Sequence, residues 1–170
     1  LTMADAASPT PPAGKRWSHQ RRIPLATLQA APARLRDAHL QSTRSFADLI
    51  ARVDTTVRPV RGIGELYVYD TTLRLGAHLR LLPDDVYLHA GTRRGAKALG
   101  LGHRSDSIPP SQLPSALHGL RPHEVEDGLC IYKGWLRKAK SPNHAFETDA
   151  LTCAAQRERY ANKTWNPLAG

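Results

Sequence analysis

The residues best suited to chemistry cluster in the middle of this chain. Arg61-Gly62-Ile63-Gly64 sets two glycines around one apolar residue, directly behind a cation. Glycine lets a backbone turn sharply and approach another surface closely. Amides at the start of a following helix then receive an anionic oxygen with help from the helix dipole. Downstream, the segment from Thr92 to Leu101 carries Arg93, Arg94 and Lys97 with helical spacing. The chemistry of such a set is phosphate recognition, which positions a duplex without reading its bases. Beside these groups stand Asp70, Asp84, Asp85 and His89, carboxylates and an imidazole of the kind that activate water or steady a developing sugar cation. Tyr67, Tyr69 and Tyr87 share the stretch, and core tyrosines with hydroxyls at the surface are the plainer account of them.

The composition points the same way. Lys and Arg number 24 against 15 Asp and Glu, a formal charge of +9 over 170 residues. That excess concentrates polyanions near the surface, so nucleic acid or an acidic protein is a more natural partner than a neutral metabolite. A solvated Arg-rich surface is the plainer alternative. The length suits one domain with one core. The two cysteines, Cys130 and Cys153, exclude a disulfide framework and suit a reducing interior. Apolar runs are short and interrupted by charge, so no membrane span is expected, nor a secretory signal, and the expected compartment is the cytoplasm.

Helical elements must position these groups. Ser45 stands three residues before Asp48 as a capping residue, and Phe46, Leu49, Ile50 and Val53 share one face, which predicts a helix. Leu25, Leu28, Leu35 and Leu40 have roughly helical spacing interrupted by Pro32, as in a broken helix or two short ones. After the Gly-Ile-Gly turn, helical spacing resumes at Leu66, Val68 or Tyr69, Leu73, Ala77 and Leu79. Leu82 to Val86 reads either as a helix entry or as the start of a short extended run, Val86 to Leu88, into a turn at Gly91. A basic helix is predicted from Thr92, its capping residue, to Gly100 or Gly102. The stretch from His103 to Pro114 is a loop. A further helix opens at Leu120 to Asp127 and carries Leu129, Ile131, Tyr132, Trp135 and Leu136.

With helix, Gly-x-Gly turn, helix and basic helix in that order, the chain resembles the helix-hairpin-helix DNA glycosylases. Their hairpin usually reads Leu-Pro-Gly-(Ile/Val)-Gly, matched here by Val60-Arg61-Gly62-Ile63-Gly64-Glu65-Leu66. Their second marker is an Asp-Thr-His-Val-type segment opening a basic helix that ends Arg-Leu-Gly-Leu, similar to Leu88-His89-Ala90-Gly91-Thr92 through Leu99-Gly100-Leu101. The resemblance covers about one third of the chain. It implies a DNA-binding scaffold, with Ile63 plugging the hairpin. Leu66 replaces the lysine nucleophile of the bifunctional members, and His89 stands where the catalytic aspartate is expected, with Asp84 and Asp85 nearby. No four-cysteine cluster follows, which excludes an iron-sulfur centre.

The expectation is an all-α, compact multi-helix domain containing a helix-hairpin-helix. Its arrangement is a disordered, basic and Pro-rich arm over residues 1–22, the helical domain over 23–140, and a peripheral helix and tail over 141–170. Its partner is nucleic acid, most naturally duplex DNA, met by Arg61, Gly62, Ile63, Gly64, Arg93, Arg94 and Lys97, with Lys15, Arg16, Arg21 and Arg22 of the arm as accessory contacts. A plain helix-turn-helix connection, with the glycines as C-cap and turn, is the competing reading of the hairpin. Two further functional readings are a divergent base-excision glycosylase using Asp70, Asp84, Asp85 or His89, and a basic interaction subunit of a nucleoprotein assembly. No cofactor and no metal is expected. His118, His123 and Cys130 match no zinc spacing, and Glu124, Glu126 and Asp127 are explained by their place in a helix's first turn.

Overall fold

The computed structural model describes Gln20 and residues 22–139. Lys15, Arg16 and Arg21, like the segment 141–170, lie outside the described residues, while Arg22 is exposed. The described chain is mainly helical: α1 (Leu25–Arg36), α2 (Phe46–Val57), α3 (Glu65–Leu79), α4 (Ala90–Ala98) and α5 (Pro122–Ala139). Single 3-10 turns occur at Leu40–Ser42, Pro110–Gln112 and Ser115–Leu117. The extended alternative holds after α3: β1 (Val86–Tyr87) pairs antiparallel with β2 (Ser107–Ile108), Val86 opposite Ile108 and Tyr87 opposite Ser107.

Local rules account for most of these elements. Ser45 is extended and its side chain accepts the Asp48 amide at 3.1 Å, which satisfies one of the free donors at the start of α2. Phe46, Leu49, Val53 and Val57 then bury one stripe, and Val57 carries the helix one turn beyond the predicted segment. Pro32 does not break α1 as expected, because the helix runs through it. A proline inside a helix costs about 3 kcal/mol, but Leu28, Ala31 and Leu35 are all buried, and burying one leucine contributes about 1.5–3 kcal/mol. Helix α4 begins at Ala90, with His89 as its N-cap and not Thr92. Its other end follows the predicted glycine signal. Gly100 has φ +73°, the Leu101 amide donates to Ala96 O at 2.9 Å and the Gly100 amide to Lys97 O at 3.2 Å. These two bonds are the Schellman motif, so Leu99-Gly100-Leu101 is a helix stop with apolar flanks.

Two apolar clusters result. One collects Leu28, Leu35, Leu40, Leu49, Val53, Val57, Ile63, Tyr67, Val68 and Leu75 from α1, α2, α3 and the turns between them. The other collects Val86, Leu88, Ala96, Ile108, Leu113, Val125 and Leu129 from the ladder, α4 and α5. A chain of rings joins them. Phe46 lies 5.2 Å from Tyr87 and 6.3 Å from Tyr69 between centroids, and Tyr69 lies 6.1 Å from the imidazole of His89. In the second cluster α4 and α5 meet backbone to side-chain-free backbone, since a Cβ on Gly95 would sit 2.2 Å from Leu129 O.

Candidate functional site

The turn between α2 and α3 places the Gly-Ile-Gly residues at the surface and in the core at once. Ile63 is buried in the first cluster, whereas Arg61, Gly62 and Gly64 are exposed. The backbone folds back through the Val60 amide donating to Val57 O at 2.9 Å and the Ile63 amide donating to Val60 O at 3.1 Å. Gly62 carries φ +92°, a conformation that L side chains rarely adopt. Thr27 of α1 donates its hydroxyl to Arg61 O at 3.3 Å and braces the turn from behind. Gly64 is the N-cap of α3, offers no side chain to the first-turn amides, and has nothing within 4 Å of where a Cβ would stand. The start of α3 is therefore open.

Helix α4 lies beside this turn. Arg93 reaches Glu65 at the start of α3, with 3.9 Å between the charged groups, and pairs with Asp106 at 3.1 Å. It also donates to the carbonyls of His103 and Ser105. The guanidinium thus holds the 103–106 loop against α4. Arg94 and Lys97 are exposed. Lys97, Gly100, Leu101, Gly102, His103, Arg104 and Ser105 line a shallow depression of about 610 Å³ at the C-terminal end of α4.

The predicted catalytic residues are not gathered in one place. Asp84 is exposed, and Asp85 accepts the Ser107 hydroxyl at 2.8 Å; both carboxylates act on the nearby Tyr87 phenol. Asp70, on α3, acts electrostatically on Tyr69, Arg74 and Asp127. His89 is buried, 4% exposed, and acts, as Asp70 does, on Asp127, although its own hydrogen bonds run to other residues. In the neutral ring Nδ1 accepts the Gly91 amide at 3.2 Å, which leaves Nε2 to carry the single proton toward Glu126 Oε1. The Thr92 hydroxyl donates to the same oxygen at 2.7 Å and stands 2.8 Å from Nε2. Burial disfavours the charged ring, but the hydrogen bonds and charges of Cys130 and Glu126 outweigh it and raise the imidazole above its ordinary 6.5. Asp127, the next residue along α5, is pushed up to about 6 by desolvation and by the neighbouring charges of Glu126 and Asp70.

No family model, no curated protein and no solved structure matches the chain, so its function is argued from the residues themselves. Sequence reasoning left out Glu126, Thr92 and Cys130 as partners of His89. A signal for Glu126 was present: it stands between Val125 and Leu129, both buried, on the core-facing stripe of an amphipathic helix. A carboxylate at such a position needs a partner. His89, Glu126 and Cys130 are also the one group among the described residues whose nitrogen, oxygen and sulfur converge closely enough to hold a metal ion, all within 4.8 Å of one another.

Proposed function

We propose that this chain binds duplex DNA through its backbone, with α2, the turn after it and α3 acting as a helix-hairpin-helix. The observation that carries the reading is the start of α3, where the exposed N-cap Gly64 offers no side chain to the first-turn amides and, among the described residues, nothing stands within 4 Å of where its Cβ would be. Such amides, backed by the helix dipole, seat a phosphate oxygen. Further support comes from Arg94 and Lys97, exposed on the helix that Arg93 ties to the start of α3, and from the formal charge of +9. Each phosphate neutralised releases condensed counterions, so affinity falls steeply with salt. The contact carries no base information, and sequence-independent binding is expected.

Gly64→Asp tests this cleanly. The N-cap backbone of Gly64, φ −117° and ψ 175°, suits aspartate, and Asp is a better N-cap than Gly by a few tenths of a kcal/mol. The variant is expected to melt no lower than wild type, yet its carboxylate would occupy the phosphate seat and repel the duplex. Titrations of labelled duplex at several salt concentrations should show salt-sensitive binding by wild type and at least a ~10-fold loss in Gly64→Asp. Binding indifferent to salt, or equal in both proteins, refutes the reading.

A further inference from the structure

We propose that His89, Glu126 and Cys130 form a three-ligand site for a divalent transition metal of the zinc class. This is independent of DNA binding.

The placement comes from two helix ends. Glu126 and Cys130 are four residues apart on α5 and therefore share a face, one turn above the other. His89, the N-cap of α4, faces them, and the three donor atoms lie within 4.8 Å of one another. Gly91 is what leaves room for the thiol, since a Cβ there would stand 2.6 Å from Cys130 Sγ and 3.1 Å from His89 Cε1. Zinc bond lengths of about 2.0–2.3 Å imply ligand separations of roughly 3.3–3.6 Å in a tetrahedron. The widest pair must draw in by about 1 Å, within reach of a half-exposed cysteine side chain turning about one bond, and the hydrogen-bonded His89 Nε2 and Glu126 Oε1 must part by a similar amount, the ion replacing the proton between them.

The donor set selects the ion. An imidazole nitrogen and a thiolate sulfur suit zinc or cobalt, whereas calcium and magnesium take oxygen alone. Three protein ligands is the number found in catalytic zinc sites, where closed structural sites have four. Thr92, fully buried, donates its hydroxyl to Glu126 Oε1 and orients that ligand from behind. On coordination the thiol gives up its proton to solvent and the single ring proton moves from Nε2 to Nδ1 by exchange with solvent, while N–metal, S–metal and O–metal bonds form. The ring then carries its proton on Nδ1, and the Gly91 amide contact opens. That contact is a single 3.2 Å bond, weak against three coordinate bonds.

The test is a titration of the chelator-stripped full chain with Co²⁺, followed by Zn²⁺ displacement. One equivalent of Co²⁺ should produce a sulfur-to-cobalt charge-transfer band together with the visible bands of a tetrahedral ion, both removed by Zn²⁺. Cys130→Ser should lose the charge-transfer band and bind Zn²⁺ at least ~100-fold more weakly, Thr92→Val should bind it ~10–100-fold more weakly, and Cys153→Ser should behave as wild type. A missing charge-transfer band, or one that survives Cys130→Ser, overturns the assignment. Gly64→Asp should bind metal as wild type does, so this proposal and the DNA-binding one fail separately.

Discussion

Replacing Gly95 with alanine sets two opposed effects against each other, and the geometry decides the sign. Inside a helix, alanine is favoured over glycine by about 1 kcal/mol, so on propensity alone Gly95→Ala would stabilise the protein. The added Cβ, however, would stand 2.2 Å from Leu129 O, 2.8 Å from its carbonyl carbon and 2.9 Å from its Cα. All three atoms are backbone and cannot rotate aside as a side-chain tip would. Helices α4 and α5 must part by about 1 Å to reach ordinary contact distance, loosening the packing of Ala96, Val125 and Leu129 in the second core. Overpacking costs about 1–3 kcal/mol, and with backbone atoms on the far side of the clash the upper part of that range, about 2–3 kcal/mol, applies. With the propensity gain subtracted, the expected net destabilisation is about 1–2 kcal/mol. For a chain of this length that lowers Tm by roughly 2–8 °C. The internal control is Gly128→Ala on α5, where nothing lies within 4 Å of the new Cβ; propensity acts alone there and Tm should rise by roughly 2–4 °C. Thermal and urea unfolding followed by far-UV circular dichroism reads both variants. A Gly95→Ala protein as stable as wild type, alongside a stabilised Gly128→Ala, would refute the close approach of α4 to α5.

Three further outcomes are expected. Ser45→Ala removes the side-chain cap on the Asp48 amide and should lower unfolding free energy by about 1 kcal/mol in urea titrations; an unchanged midpoint would mean that the cap is replaced by water. Burial holds His123 below its ordinary 6.5, with Arg121 acting in the same direction and Glu124 and Glu126 opposing. The unfolded chain therefore takes up this proton at higher pH than the folded one, so the contribution of His123 is present above 6.5 and lost as pH falls below it. His123→Gln should accordingly show a shallower loss of stability than wild type between pH 6.5 and 5, and parallel profiles would refute the shift. Arg93→Ala cuts the loop's ties through Asp106 and the carbonyls of His103 and Ser105, so limited proteolysis should nick the 103–106 segment faster than in wild type, with equal rates contradicting the brace.

Much of the helical layout was legible because its signals are local. Ser45 with Asp48, the stripe from Phe46 to Val53, the positive φ at Gly62 and the helix stop at Gly100 each depend on a few neighbouring residues. Pro32 misled because the loss it imposes is local while the compensating burial of Leu28, Ala31 and Leu35 is tertiary. Thr92 misled as a cap for a similar reason. His89 takes that role through its ring nitrogen, and the Thr92 hydroxyl, drawn into the interior, turns to Glu126. The exposed cations Arg61, Arg94 and Lys97 were readable from composition and spacing alone. The cluster of His89, Glu126 and Cys130 was not, since its key contact joins residues separated by 37 positions and exists only once α4 and α5 have packed.

The ring chain of Phe46, Tyr69, Tyr87 and His89 has a consequence for how the molecule opens. Each apolar cluster belongs to a stretch on the order of sixty residues, a size at which a core by itself is marginal. Because these rings sit in contact across the boundary, neither half can melt without stripping aromatic surface from the other. The slowest-exchanging amides of α2 and of α5 should therefore share one opening free energy in hydrogen exchange, and the double variant Phe46→Ala, Tyr69→Ala, which removes every ring contact across the boundary, should split it into two. Two aromatic side chains, on this account, set whether the protein is one cooperative unit or a pair.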